Sequence, residues 1–114
     1  MSDCVFCKIV RGEIPCAKVY EDDKVLAFDD IQPMAPVHAV IIPKNHISTL
    51  MDVAAEKDDI INKLIAAAQK VAQIKGIAAS GFRTAINCNA EGGQVVFHLH
   101  VHVLGGRKLQ DELG

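Results

Sequence analysis

The sequence has no tryptophan, one tyrosine and four phenylalanines, so aromatic residues are 4% of its 114 positions. Aliphatic side chains must therefore build most of the core. No sign of charge dominates: twelve basic against fourteen acidic residues give a formal charge of -2. That near balance removes the electrostatic case for nucleic acid or an anionic membrane as the main partner. No apolar run is long enough to span a bilayer. The start, Met1-Ser2-Asp3-Cys4, lacks the basic and apolar regions of a secretory signal. A cytoplasmic protein is expected, with its four cysteines, Cys4, Cys7, Cys16 and Cys88, in the reduced state. In that compartment a Cys-x-x-Cys pair is more often metal-binding or redox-active than a structural disulfide. Low-complexity tracts and internal repeats are also lacking.

What is present is a single-domain length, read as one domain over 1–114, with half its residues apolar. Three of the five histidines stand at alternate positions, His98, His100 and His102. Period two is the signature of a half-buried strand. On such a strand Phe97, Leu99, Val101 and Val103 enter the core and the histidines share the other face.

The rest of the chain supplies partners for that strand. Ser2-Asp3 can cap a short helix from Cys4 to about Arg11, which Gly12 stops. Lys18–Glu21 and Val25–Asp29 read as strands around a turn at Asp22-Asp23-Lys24. Val37–Ile42 is a strong strand closed by Pro43, with His38, Val40 and Ile42 on one face. The one long helical pattern runs from about Asp52, its cap, to Lys75, with Gly76 as its stop. Phe82–Asn89 is a further strand, and Glu91-Gly92-Gly93-Gln94 turns into the histidine strand. The class is α+β: a five-stranded antiparallel sheet with one long and one short helix, both covering one face.

Several chemistries suit the histidines. A metal held by all three is disfavoured, because residues i and i+4 of a strand stand about 13 Å apart at Cα. Each nitrogen would have to come within about 2.1 Å of a zinc ion. Three unrelated surface histidines are the bland alternative. Cys4 and Cys7 can supply two of the four ligands of a closed tetrahedral zinc site. His38, His46 and one triad member are candidates for the others, unless both cysteines are merely small buried side chains. His100, beside a Gly-rich turn, suits nucleophilic attack on phosphorus if one ring nitrogen is free and the other N–H is held. Neighbouring imidazoles can supply protons. The amides of Gly92-Gly93-Gln94-Val95, with Asn87, can hold phosphate oxygens. Singly these are ordinary turn and cap residues; together they suggest phosphoryl or nucleotidyl transfer.

His98-Leu99-His100-Val101-His102-Val103-Leu104 resembles the histidine triad (HIT) motif. Nearly the whole chain carries the likeness, through Phe6-Cys7-Lys8-Ile9, Gly12-Glu13-Ile14-Pro15, Ala27-Phe28-Asp29-Asp30-Ile31, Pro36-Val37-His38 and Ile42-Pro43-Lys44-Asn45-His46. Gly105-Gly106-Arg107 resembles the Hint branch, the histidine triad nucleotide-binding proteins.

The resemblance implies a homodimer with one ten-stranded sheet, a purine nucleotide pocket and hydrolysis of nucleoside phosphoramidates. The substrates implied are adenosine 5'-monophosphoramidate and aminoacyl or lysyl adenylates, cleaved through a nucleotidyl-histidine on His100. His38 then supports the nucleophile, and His102 contacts the phosphate or leaving group. Asp30 binds the ribose. Phe6, Ile14, Phe28 and Ile31 wall the base, while Asn87, Gln94 and the Val96 amide lie near phosphate. Zinc-carrying bacterial members match Cys4, Cys7, His46 and His98, which makes the zinc structural and leaves the chemistry metal-free. A vestigial nucleotide- or zinc-binding module and a dinucleotide polyphosphate hydrolase are the competing readings. Val95 replaces a familiar serine, and the tail Lys108–Gly114 lacks the familiar tryptophan, so an altered rate or leaving-group preference is expected.

Overall fold

Val37–Pro43 is a run of seven residues closed by a proline, and all but its first are buried. A strand that apolar must be covered on both faces. In the computed structural model, which describes residues 4–113, it becomes the central strand, β3. β1 (Lys18–Glu21) and β2 (Val25–Asp29) precede it, and β4 (Phe82–Ala85) and β5 (Val101–Gly105) follow. The five-stranded sheet has the order β1-β2-β3-β5-β4, and every neighbouring pair is antiparallel. Asp22 closes the first hairpin, its Oδ1 accepting from the amides of Lys24 and Val25 at 2.8 and 2.9 Å.

The two faces of the sheet have different covers. Val25, Ala27, Ala39, Ile41, Val101 and Val103 form one core with the long helix α2 (Ile60–Ile74), through Leu64, Ala68, Val71 and Ala72. Leu26, Phe28, Val40 and Ile42 point the other way, where Phe6, Ile9 and Val10 of the short helix α1 (Val5–Val10) meet them. The expectation that both helices cover one face is therefore corrected. α1 is too short to be stable alone, and its apolar side is held by that second core and by its cysteines.

Helix boundaries also differ from the sequence reading. Ser2 and Asp3, the expected cap, lie outside the described residues; Cys4 is the N-cap of α1, its Sγ accepting from the Cys7 amide at 3.4 Å. The pattern from Asp52 to Lys75 splits into a 3-10 turn, Leu50–Ala55, and α2. Thr49 caps the turn, and Asp52 answers from inside it, its Oδ2 accepting from the Thr49 amide at 3.0 Å. Asp52 is thus the returning half of a capping box, not the cap. β4 ends at Ala85 rather than Asn89, because the chain leaves the sheet toward a turn where Asn89 takes φ 62°.

The histidine stretch is a strand only in part. β5 begins at Val101, so His102 alone of the triad lies within it. Leu99, Val101 and Val103 are buried as expected, but Phe97 is 46% exposed. The Leu99 amide donates to the Ile47 carbonyl at 2.6 Å, outside the sheet ladder. The bend at Val96–His98 releases Phe97 outward and turns the His98 ring fully inward.

Candidate active site and metal centre

Two side-chain clusters sit beside one another on the α1 side of the sheet. The first joins three distant parts of the chain. Cys4 and Cys7 come from α1, His46 from the loop after β3, and His98 from the bend before β5. Their ligand atoms all lie within 4.8 Å of one another. His98 Nδ1 stands 3.3 Å from Cys4 Sγ and 3.6 Å from Cys7 Sγ, and His46 Nδ1 is 3.3 Å from Cys7 Sγ. Tetrahedral zinc with ordinary Zn–S and Zn–N bonds would set such S···N edges at about 3.6 Å.

Proton positions on the rings also fit a metal. A carbonyl oxygen can only accept, so His98 Nε2–H donates to the Pro43 carbonyl at 2.8 Å and Nδ1 keeps its lone pair for the cluster. His46 Nε2 lies 3.3 Å from Ser48 Oγ, with Nδ1 toward Cys7. Such outer partners orient metal-binding histidines. Burial, followed by its two neighbouring histidines, pushes His98 down to about 4 despite that carbonyl, so its ring is neutral at neutral pH. Burial and then Cys4 push the Cys7 thiol up. A cation would displace that proton and neutralise the thiolates. These residues could hold a metal ion.

The second cluster is Asp30, His38 and His102. It has metal-like ligand types but the wrong protons. The Met34 amide donates to His38 Nδ1 at 3.0 Å, so the neutral ring carries its hydrogen on Nε2. That N–H faces His102 Nδ1 at 2.9 Å, with Asp30 Oδ2 3.5 Å away. His102 must then carry its own hydrogen on Nε2. The result is a directed relay, Met34 to His38 to His102, rather than three open lone pairs. Burial, with His100 and His38 nearby, pushes His102 down to about 4, so its ring is neutral at neutral pH.

His100 lies between the clusters. Its Nδ1 stands 2.7 Å from the His98 carbonyl oxygen, so Nδ1 carries the hydrogen and Nε2 the lone pair. Among the described residues no buried side-chain nitrogen or oxygen lacks a partner, and Nε2 has no protein partner. Solvent therefore reaches this atom although the residue is 8% exposed. Phe6 sets its edge against His100 at 5.2 Å and also touches Phe28 and His98, at 5.7 and 5.8 Å between ring centres. The His100 and His102 rings are 5.0 Å apart. An anchored imidazole with one exposed lone pair beside a second ring with a free N–H can attack an electrophile and hold its oxygens by a hydrogen bond.

Each remaining expected residue has a definite place. His38 touches His102, not the expected nucleophile His100, so its support is indirect. Asp30 spends Oδ1 on the Gln32 amide at 2.8 Å, with Oδ2 toward His38. Phe28 is buried beneath Phe6. Ile14 is half-buried, and Ile31 is 95% exposed, so it is no wall within this chain. Asn87 Nδ2 reaches the Gly93 carbonyl only at 3.5 Å, which leaves it available. Gln94 does not offer its side chain to phosphate: Nε2 donates to the carbonyls of Ser48 and Val96 at 2.8 and 3.1 Å, and Oε1 accepts from the Asn89 amide at 2.8 Å. The Val96 carbonyl is likewise engaged. Sequence reasoning missed the carbonyls of Pro43 and Ile47 and the amide of Met34, which no side-chain pattern announces. It also missed Ser48, two residues beyond His46.

Residues 11–109 match the family model for the HIT domain. The chain belongs to the HIT domain family. This HIT protein is 49% identical over 107 residues to the purine nucleoside phosphoramidase of Escherichia coli (strain K12), covering 94% of this chain and 90% of that one. A HIT family hydrolase from Legionella pneumophila Philadelphia 1 superposes with a TM-score of 0.94 at 46% identity, over 98% of this chain and 100% of its own. A zinc-bound histidine triad family protein from Mycobacterium smegmatis superposes with a TM-score of 0.82 at 35% identity, over 99% and 81%.

Proposed function

We propose that the protein, with His100 as nucleophile, hydrolyses the P–N bond of purine nucleoside phosphoramidates such as adenosine 5'-monophosphoramidate and the acyl-phosphate P–O bond of aminoacyl or lysyl adenylates. One observation carries this reading: the His98 carbonyl holds His100 Nδ1–H at 2.7 Å and leaves Nε2 free and solvent-reached. His100 Nε2 attacks phosphorus, and the P–N bond breaks. The carbonyl stabilises the positive charge that develops on the ring. His102, through its Nε2–H, hydrogen-bonds the phosphoryl oxygens or the leaving nitrogen, and the proton that nitrogen gains comes from solvent. Water then cleaves the nucleotidyl-histidine and frees the nucleoside monophosphate and the imidazole. The name of the Escherichia coli relative supports the same activity.

In this reading Asp30 binds the ribose hydroxyls, and Phe6 and Ile14 take the purine, with Phe28 buttressing Phe6 from below. Asn87 and the Val96 amide contact the phosphate. Zinc is the metal of choice for Cys4, Cys7, His46 and His98: two thiolates and two imidazoles suit it, and the Mycobacterium relative is zinc-bound. Held by these four residues it would tie α1 to the catalytic bend, outside the reaction itself. The protein works as one domain of the Hint branch, in the cytoplasm, and as a homodimer. β4, an edge strand with Phe82 37% exposed, is the edge that would continue the sheet into a second copy.

Turnover of adenosine phosphoramidate by wild type and His100→Ala tests the function. Release of AMP by wild type alone supports it. Equal inertness with AMP still bound points to a binding module, and preference for diadenosine polyphosphate points to the dinucleotide hydrolase reading.

A further inference from the structure

Three links stitch the loop that carries His46 to the segment that carries His100. The first is the cluster of donors, which His46 and His98 share. The second is the Leu99 amide, which donates to the Ile47 carbonyl at 2.6 Å. The third is Gln94, buried at 6% exposure, whose Nε2 donates to the Ser48 carbonyl at 2.8 Å. Ile47 and Ser48 directly follow His46, so all three links end on one short loop.

The His98 carbonyl and the Leu99 amide belong to one peptide unit. One edge of that unit accepts Nδ1–H of His100 at 2.7 Å, and the other donates to Ile47. A peptide unit is planar and stiff. Turning its N–H away from Ile47 therefore turns its C=O away from His100. The tautomer and orientation of His100 are thus fixed from the far side of the peptide, by a loop that never touches His100 itself. Gln94 secures the same loop while pinning the Asn89 turn, and it keeps no donor free for a substrate.

We propose that Gln94 and the loop His46–Ser48 are positioning elements for His100, acting through the His98–Leu99 peptide unit, and that a metal bound by His46 and His98 sets their grip. The proposal rests on the reading of His100 as nucleophile. When the peptide unit is slack, fewer molecules present the Nε2 lone pair at the correct angle. Gln94 touches neither Asp30 nor Phe6, the residues assigned to ribose and base, so its replacement preserves substrate affinity.

The test uses two full-length chains, wild type and Gln94→Met, which keeps side-chain length without hydrogen bonds, each zinc-loaded, stripped by a chelator and reloaded with Zn2+. Metal content, hydrogen exchange at the Leu99 amide, and kcat and KM for adenosine phosphoramidate are measured on each. Gln94→Met is expected to speed Leu99 exchange and lower kcat, each about tenfold, with KM within about twofold. Stripping speeds Leu99 exchange and lowers kcat in wild type, and reloading reverses both. Stripping Gln94→Met adds less than it does in wild type, because both changes act through one peptide unit. Leu99 exchange and kcat that ignore both perturbations would overturn the proposal, as would a rise in KM at constant kcat. If Gln94→Met does not fold, the stripped and reloaded wild type decides by the same readouts. Zinc-loaded wild type without any turnover overturns the hydrolase reading itself, a result distinct from normal turnover with an unmoved Leu99 amide.

Discussion

His38 Nε2 lies 2.9 Å from His102 Nδ1, while the Met34 amide holds the opposite nitrogen of the His38 ring. Because a main-chain amide can only donate, that single contact fixes the hydrogen on His38 and, through it, the one on His102. His38→Phe keeps a ring in place but removes both contacts. Turnover is expected to fall about 10- to 100-fold, mainly in kcat, as His102 loses its fixed tautomer. Steady-state kinetics with a phosphoramidate check this, and wild-type kcat in the variant would contradict it.

Stability should depend on pH through His102. Its folded pKa, about 4, lies below the ordinary value of 6.5, so the unfolded chain binds the proton more readily. The contribution is fully present above about pH 6.5 and is lost as pH falls from there to about 4. Denaturant midpoints at pH 7 and pH 5 should show the drop, and His102→Gln should reduce it. An unchanged slope in the variant would assign the pH dependence to other groups.

Metal should be part of the folded state. Purified protein is expected to carry about one zinc per chain, and Cys4→Ser to carry much less. Chelation should lower Tm by at least about 5 °C, because a ligand bound only by the folded chain stabilises it by mass action. Elemental analysis with a thermal melt checks both points, and metal-free protein with an unaltered melt would refute them.

Much of this was readable in the chain because the governing patterns are local. β2 and β3 announce themselves as dense apolar runs, and Pro43 marks where the second must stop. Cys4 and Cys7 share one helical turn, and their two histidine partners follow from the family likeness. The bend at Val96–His98 was not readable. Alternation describes a strand equally well whether or not one histidine must turn inward toward sulfur, so Phe97 was placed on the wrong side. The split of the long helix was missed because the apolar spacing begins at Ile60, while Thr49 and Asp52 serve a separate turn. Main-chain partners such as the carbonyls of His98, Pro43 and Ile47 leave no trace in residue type, and they carry much of the site's geometry.

Gly92 is required by space rather than by an unusual φ. A Cβ there would run into the carbonyl oxygen of Cys88 and come within 2.9 Å of its nitrogen, both of them backbone atoms. Gly92→Ala should force the turn apart, cost about 1–3 kcal/mol and slow turnover through the displaced phosphate-side amides. Denaturant unfolding beside kinetics tests this; a variant as stable and active as wild type would show that the turn yields freely.

The central claim is that His100 Nε2 becomes covalently bonded to phosphorus. Rapid quenching of the protein with a nucleotidyl donor, followed by peptide mass spectrometry, addresses it directly. The account predicts a nucleoside monophosphate adduct on His100 that decays at the rate of product release and is absent from His100→Ala. An adduct on another residue, or turnover that persists in His100→Ala, would contradict it.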